Sequence, residues 1–253
     1  MRLHLASLVV TVATSALVPG CTGATSADLT ALQDISISVE AQQGIVTVGL
    51  DYAGDTHDEA ACKSISATAT YNGMGSKSAE VGHWQPASVE SPGYCQHPYF
   101  VFGDDDVESA TLEITDGSKT ITVDVPHLLA ARPVAFAAPA PTSISDGDTL
   151  RFTVQLAPGD VPAMQGIVEG TAAGCEGTSG YLFAGDTTQT GATASYAVRA
   201  SNGCETAIPP GTPVAFDLAV SEHVETTVTT CDGATTCRAR ALVTTTLRST
   251  WNP

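Results

Sequence analysis

Cys95 and His97 lie two residues apart, a spacing that could set an imidazole base beside a thiol nucleophile. Cys62 offers the competing fate. In an oxidising compartment a Cys62–Cys95 disulfide would consume the thiolate on which such chemistry depends. The histidines His57, His83, His97, His127 and His223 show no metal-ligand spacing, and no closely spaced cysteine pair of the zinc type is present. A hydrolase elbow, a zinc-protease helix, a phosphate loop and a dinucleotide fingerprint are all missing from the sequence. The sequence therefore leads us to expect no catalytic residue and no cofactor. Asp104, Asp105 and Asp106, with Glu108 beyond, invite calcium, which gathers roughly six to eight oxygens from turns. Three adjacent carboxylates cannot all point inward, so the run reads first as a solvated acidic turn.

Recognition chemistry is better represented. The stretch from His83 to Phe102 gathers Trp84, Tyr94, Tyr99, Phe100 and Phe102 in a chain that is only 6% aromatic. Rings exposed on a loop can stack on sugars or anchor a protein partner. Trp84, Tyr94, Tyr99 and Phe100 are thus the candidate binding surface. Near the C-terminus Arg238, Arg240 and Arg248 share one parity of a single alternating run. They form either a binding stripe or an ordinary solvated sheet face.

Strands must carry these residues, because the hydrophobic period is two. Ile35, Ile37 and Val39 alternate with polar residues, as do Val46, Val48, Leu50 and Tyr52, and Ile65, Ala67, Ala69 and Tyr71. Leu112 and Ile114 are joined to Ile121, Val123 and Val125 through Asp116-Gly117-Ser118-Lys119, a hairpin turn in which Asp-Gly supplies positive φ. Beyond an Ala- and Pro-rich junction at 129–142, where Val134 and Phe136 could begin a strand, the pattern resumes. It runs through Leu150, Phe152, Val154 and Leu156, then Val214, Phe216, Leu218 and Val220, then Ala239, Ala241, Val243 and Leu247. Val46–Asp55 resembles Phe152–Asp160, a weak internal repeat. Helices longer than a turn or two are not indicated, although residues 27–33 could form one turn with Asp28 near its start.

The expected fold is all-β, with two tandem antiparallel β-sandwich domains at 34–128 and 143–253. In architecture these units resemble immunoglobulin-like sandwiches. Trp84 does fall between Cys62 and Cys95, but neither cysteine sits in a clear alternating strand. Of the seven cysteines, six follow the leader and allow fifteen pairings. If each unit closes on itself, Cys62 pairs with Cys95. Cys231 and Cys237 would then staple the Asp232–Thr236 loop, leaving Cys175 for Cys204.

Residues 1–20 stand apart from this pattern. A mildly positive start, Met1 to His4, precedes an uncharged run from Leu5 to Val18, which is too short to span a bilayer. Val18-Pro19-Gly20-Cys21 resembles the lipobox of bacterial lipoproteins. That resemblance implies removal of the signal peptide, acylation of Cys21 and attachment to a membrane through lipid. It also removes the odd cysteine. Thr22, where inner-membrane lipoproteins tend to carry Asp, implies the outer membrane, facing the periplasm or the surface. Residues 21–33 read as the acylated Cys and a polar tether.

The formal net charge is −17, which argues against nucleic acid as a partner. The expectation is a non-catalytic binding or scaffold module of the cell envelope, with an envelope protein or a glycan as partner. The alternatives are a structural component of an envelope complex, or a hydrolase whose residues meet only in three dimensions.

Overall fold

The computed structural model describes residues 25–26, 28–42, 44–53, 58–60, 62–81, 83–89, 91–97, 99–103, 107–145, 147–172, 175–181, 188–199 and 214–251. Strands dominate these residues, and the one described helical element is a 3-10 turn at Leu29–Ala31. In chain order the strands are β1 (Thr25–Ser26), β2 (Ser36–Gln42), β3 (Ile45–Asp51), β4 (Lys63–Tyr71), β5 (Met74–Val81), β6 (His83–Gln85), β7 (Tyr94–Gln96), β8 (Tyr99–Gly103), β9 (Ala110–Thr115) and β10 (Thr120–Val125). There follow β11 (Val134–Phe136), β12 (Thr149–Gln155), β13 (Val161–Ala172), β14 (Cys175–Tyr181), β15 (Thr188–Thr190), β16 (Thr193–Arg199), β17 (Val214–Thr226), β18 (Thr230–Asp232) and β19 (Thr236–Trp251).

Alternation becomes burial. Ile37, Val39 and Ala41 of β2 and Val46, Val48 and Leu50 of β3 are buried, while their polar neighbours stay at least partly in water. Two turns set register locally. Asp116–Lys119 joins β9 to β10 with Gly117 at φ 87°. Asn72 and Gly73, at φ 48° and 65°, make the tight turn between β4 and β5, the two-positive-φ geometry that matches strand twist.

The first core lies between two sheets. One has the order β1-β4-β9-β10-β18, with β5 on the far side of β4. The other is the β19-β2-β3-β8 part of a seven-stranded sheet ordered β14-β13-β17-β19-β2-β3-β8. Ile65, Ala67, Leu112, Ile114, Ile121 and Val123 meet Ile37, Val39, Val48, Leu50, Phe100 and Phe102 across that interface. The second core lies under the sheet β11-β12-β16-β15, where Leu150, Phe152, Val154 and Tyr196 meet Val224, Val243 and Leu247. One long sheet therefore backs both cores.

Strand β19 makes this continuity. Its residues Thr236–Leu242 pair in parallel with β2, and Ala239–Trp251 pair antiparallel with β17. Ala239 and Ala241 belong to the first core, Val243 and Leu247 to the second. Residues 230–242, expected within the unit 143–253, thus complete the core of the unit 34–128. The β2–β19 and β1–β4 pairs are parallel rather than antiparallel. Neither pair is joined by a hairpin, so no local turn dictates its direction.

The described residues of the expected tether, 25–26 and 28–33, also dock. β1 pairs with β4, and Leu29 and Leu32 bury their side chains in the first core. Apolar side chains in a polar stretch gain more from burial than a free tether would leave them. The 129–142 junction is fixed as well. The Arg132 and Asp160 side chains are 2% and 0% exposed and make a two-pronged pair, Nε to Oδ2 at 2.7 Å and Nη2 to Oδ1 at 3.1 Å. The guanidinium also donates to the carbonyls of His127, Leu128 and Ala130, and Asp160 accepts the Ala157 N–H. Such a pair tolerates burial because its polar atoms find partners.

Candidate binding face

On β8 the pleat sends Phe100 and Phe102 inward and Tyr99 and Val101 outward. Tyr99 is 61% exposed, Val101 42% and Ile45, on neighbouring β3, 48%. Three large apolar side chains on the wet side of one sheet edge depart from the polar-out rule.

The registers place further residues on the same outer face. One row across four strands reads Tyr99, Gly49, Ser38, Arg238, and the next reads Val101, Thr47, Glu40, Arg240, with Glu225 of β17 beyond. Arg240 Nη2 donates to Glu40 Oε2 at 2.7 Å, and farther along Arg248 Nε donates to Asp217 Oδ1 at 3.1 Å. Arg238 has neither an ion pair nor a hydrogen bond among the described residues. Ser38, Glu40, Glu225, Arg238 and Arg240 surround a hollow of about 260 Å³. Beside it Gly49 makes room for the Ser38 hydroxyl, since a Cβ there would stand 2.6 Å from Ser38 Oγ. The aromatic segment and the arginine row, more than half a chain apart in sequence, are thus brought onto one surface.

At the end of that surface His97 Nδ1 lies 2.8 Å from Asp51 Oδ1, and its ring stacks on Tyr52 at 4.6 Å. The Tyr52 hydroxyl accepts the Lys63 N–H at 2.8 Å and lies 3.4 Å from Cys95 Sγ. Burial pushes that hydroxyl above its ordinary range, so it is a neutral structural group. Cys62 and Cys95 form a disulfide with Cα atoms 5.5 Å apart, and Cys231 and Cys237 form another at 5.8 Å. Cys95 is only 6% exposed. The thiol–imidazole reading of Cys95 and His97 is therefore corrected: the sulfur is bonded and buried, and the imidazole is engaged by Asp51.

The aromatic candidates divide. Tyr99 lies on the candidate face. Phe100 is a core residue, which corrects its placement on a surface: it occupies the inward parity of β8. Trp84 is half-buried against the first core on the two-stranded hairpin of β6 and β7, with Gly93 giving its ring room. Tyr94, 42% exposed, sits on that same hairpin and not on the seven-stranded sheet. Cys21, Asp104, Asp105, Asp106 and Cys204 lie outside the described residues, so the acylation, calcium and Cys175–Cys204 expectations fall there too. Sequence reading did not single out Ser38, Ile45, Gly49, Val101 or Glu225. Tyr99-Phe100-Val101-Phe102 carried a signal, since a strand apolar at both parities exposes half of its apolar residues when one face of its sheet is wet.

No family model matches the chain, and no curated protein matches it. Among solved structures, the collagen adhesin (CNA) from S. aureus aligns over 91% of this chain and 98% of that one, at 8% identity and a TM-score of 0.17. A likeness of that strength carries no argument about fold or role.

Proposed function

We propose that this protein is an exported, non-catalytic binding module, held at the bacterial outer membrane through acyl chains on Cys21, which grips its partner on the outer face of the seven-stranded sheet. The observation that carries this reading is the register that puts exposed Tyr99, Ile45 and Val101 on the same sheet face as Arg238, which has no ion pair among the described residues and lines a hollow with Glu225 and Arg240. Apolar surface left in water gains free energy when a ligand covers it, and a hydrated guanidinium does so when the ligand supplies acceptors. The lipobox-like Val18–Cys21 sequence supports the anchor, and two buried acyl chains suffice to hold a protein at a bilayer.

Two experiments address the two halves of this reading. A photo-reactive residue at Thr47, on the proposed face, is expected to yield discrete adducts in intact cells, whereas one at Arg151, on the outer face of β12, is not. Equal labelling from both positions would remove the basis for the face. For the anchor, the intact mass of the mature protein from native membrane should correspond to residues 21–253 with acyl chains on Cys21. A water-soluble mature chain would contradict it.

A further inference from the structure

We infer that the ligand of this face is a neutral glycan lying across the strands, from Tyr99 over Gly49 to Ser38 and Arg238. The inference rests on the binding-face reading and names its ligand class.

The direction comes from the register. Tyr99, Gly49, Ser38 and Arg238 stand directly opposite one another on β8, β3, β2 and β19. Neighbouring strands are about 4.8 Å apart, so the row spans about 14 Å from Tyr99 to Arg238. A ring stands at one end, the Ser38 hydroxyl lies close over Gly49 in the middle, and a guanidinium stands at the other end. Gly49 has no positive φ that would require glycine; its missing Cβ instead leaves room for the Ser38 hydroxyl, which lies 2.6 Å from where that Cβ would stand. A peptide adding to edge strand β8 would run along that strand. It would touch Tyr99 and Val101 but leave Ser38 and Arg238, two and three strands away, without a role. A rod crossing the strands uses the whole row.

The chemistry matches a sugar. A pyranose ring offers a patch of C–H bonds on one face and hydroxyls around its rim. Tyr99, with Val101 and Ile45 beside it, presents apolar surface to the first. The Arg240–Glu40 pair presents donors and acceptors side by side to the second, and Arg238 adds five donors that nothing in the described protein uses. Charge selects within the class. A protein of net charge −17 repels a polyanion at long range, and on this face Glu40, Glu225 and Asp51 offset the arginines. A neutral polysaccharide meets no such barrier.

The test is a glycan array of neutral and acidic oligosaccharides, probed with the full-length protein in detergent micelles, followed by titration of the best ligand. A neutral glycan is expected to bind, with little dependence on salt. Tyr99→Ala, Arg238→Gln and Gly49→Thr are each expected to weaken binding by about tenfold, the loss of one good contact. Gly49→Thr puts a Cβ where it must push the Ser38 hydroxyl aside, and threonine's preference for strands offsets that adjustment, so the melting temperature should hold; Gly49→Ser serves if it does not. Arg151→Gln should leave binding unchanged. Preference for acidic glycans, or neutral binding indifferent to the three substitutions, would overturn the inference. So would an empty array. If Thr47 still gave specific protein adducts, only the glycan would fall; if it gave none, the binding face would fall with it.

Discussion

The carboxylate of Asp116 fastens three pieces of backbone. Oδ1 accepts the N–H groups of Ser118 and Lys119 inside the β9–β10 turn, and Oδ2 accepts the N–H of Leu29 at 2.6 Å. Burial alone would raise this carboxyl, but hydrogen bonds from Leu29, Ser118 and Lys119 outweigh it and hold it at about 2 against an ordinary 3.8. A depressed folded value means that the stabilisation is complete above the unfolded value and is lost as pH falls through the folded one. Asp116→Asn should therefore cost about 1 kcal/mol at pH 7, with the difference from wild type shrinking between pH 4 and pH 2 in urea titrations. A constant difference across that range would show that the charge is not involved. The Arg132–Asp160 pair is a larger stake. Arg132→Met strands a carboxylate that is 0% exposed, and denaturant unfolding should show a loss of about 3–5 kcal/mol. Changing Asp160→Leu as well should restore part of it. The turn role of Asp116 was legible from Asp-Gly; its reach to Leu29 was not, because the two are 87 residues apart. Nothing in the local sequence marks Arg132 and Asp160 as partners either.

For single strands, period-2 patterning identified the inward parity of β2, β3, β4, β9, β10 and β12 correctly, since each alternates apolar with polar residues. It failed on β8, where Tyr99 through Phe102 are apolar throughout and no pattern separates Phe100 inside from Tyr99 outside. Partner choice was the other illegible quantity. β2 and β19 are about 200 residues apart, and one unbroken alternation in β19 cannot announce that its two halves serve different cores. Cys62–Cys95 and Cys231–Cys237 were legible from the assumption of local closure, and they should differ in weight. Cys62–Cys95 closes a sequence separation of 33 and Cys231–Cys237 one of 6. Chain entropy then assigns about 4 kcal/mol to the first and about 2 kcal/mol to the second. Paired Cys→Ser variants of each bond, compared by chemical denaturation, should rank in that order. The reverse ranking would mean that native-state packing around Cys231–Cys237, not loop length, governs the stabilisation.

At the scale of the molecule, the shared sheet couples the two cores. Unfolding the second core frees β17 and the C-terminal half of β19, and with them the support for the β19–β2 pair that closes the first. Calorimetry on the full chain should therefore show one cooperative transition. Two well-separated transitions would mean that the 129–142 junction divides the protein energetically even though the sheet crosses it. The outer face of that sheet is interrupted at its β8 edge by the exposed apolar side chains of Tyr99, Ile45 and Val101, with Arg238 farther in.

That interruption is the centre of the account, and Gly49→Thr tests it most directly. The full chain and this variant, immobilised through the C-terminus, should be offered native cell-envelope material alongside Arg151→Gln. The account predicts that Gly49→Thr melts with wild type yet retains little of the material that wild type and Arg151→Gln both hold. Equal retention by all three proteins would show that the face from Tyr99 to Arg238 is not where this protein binds.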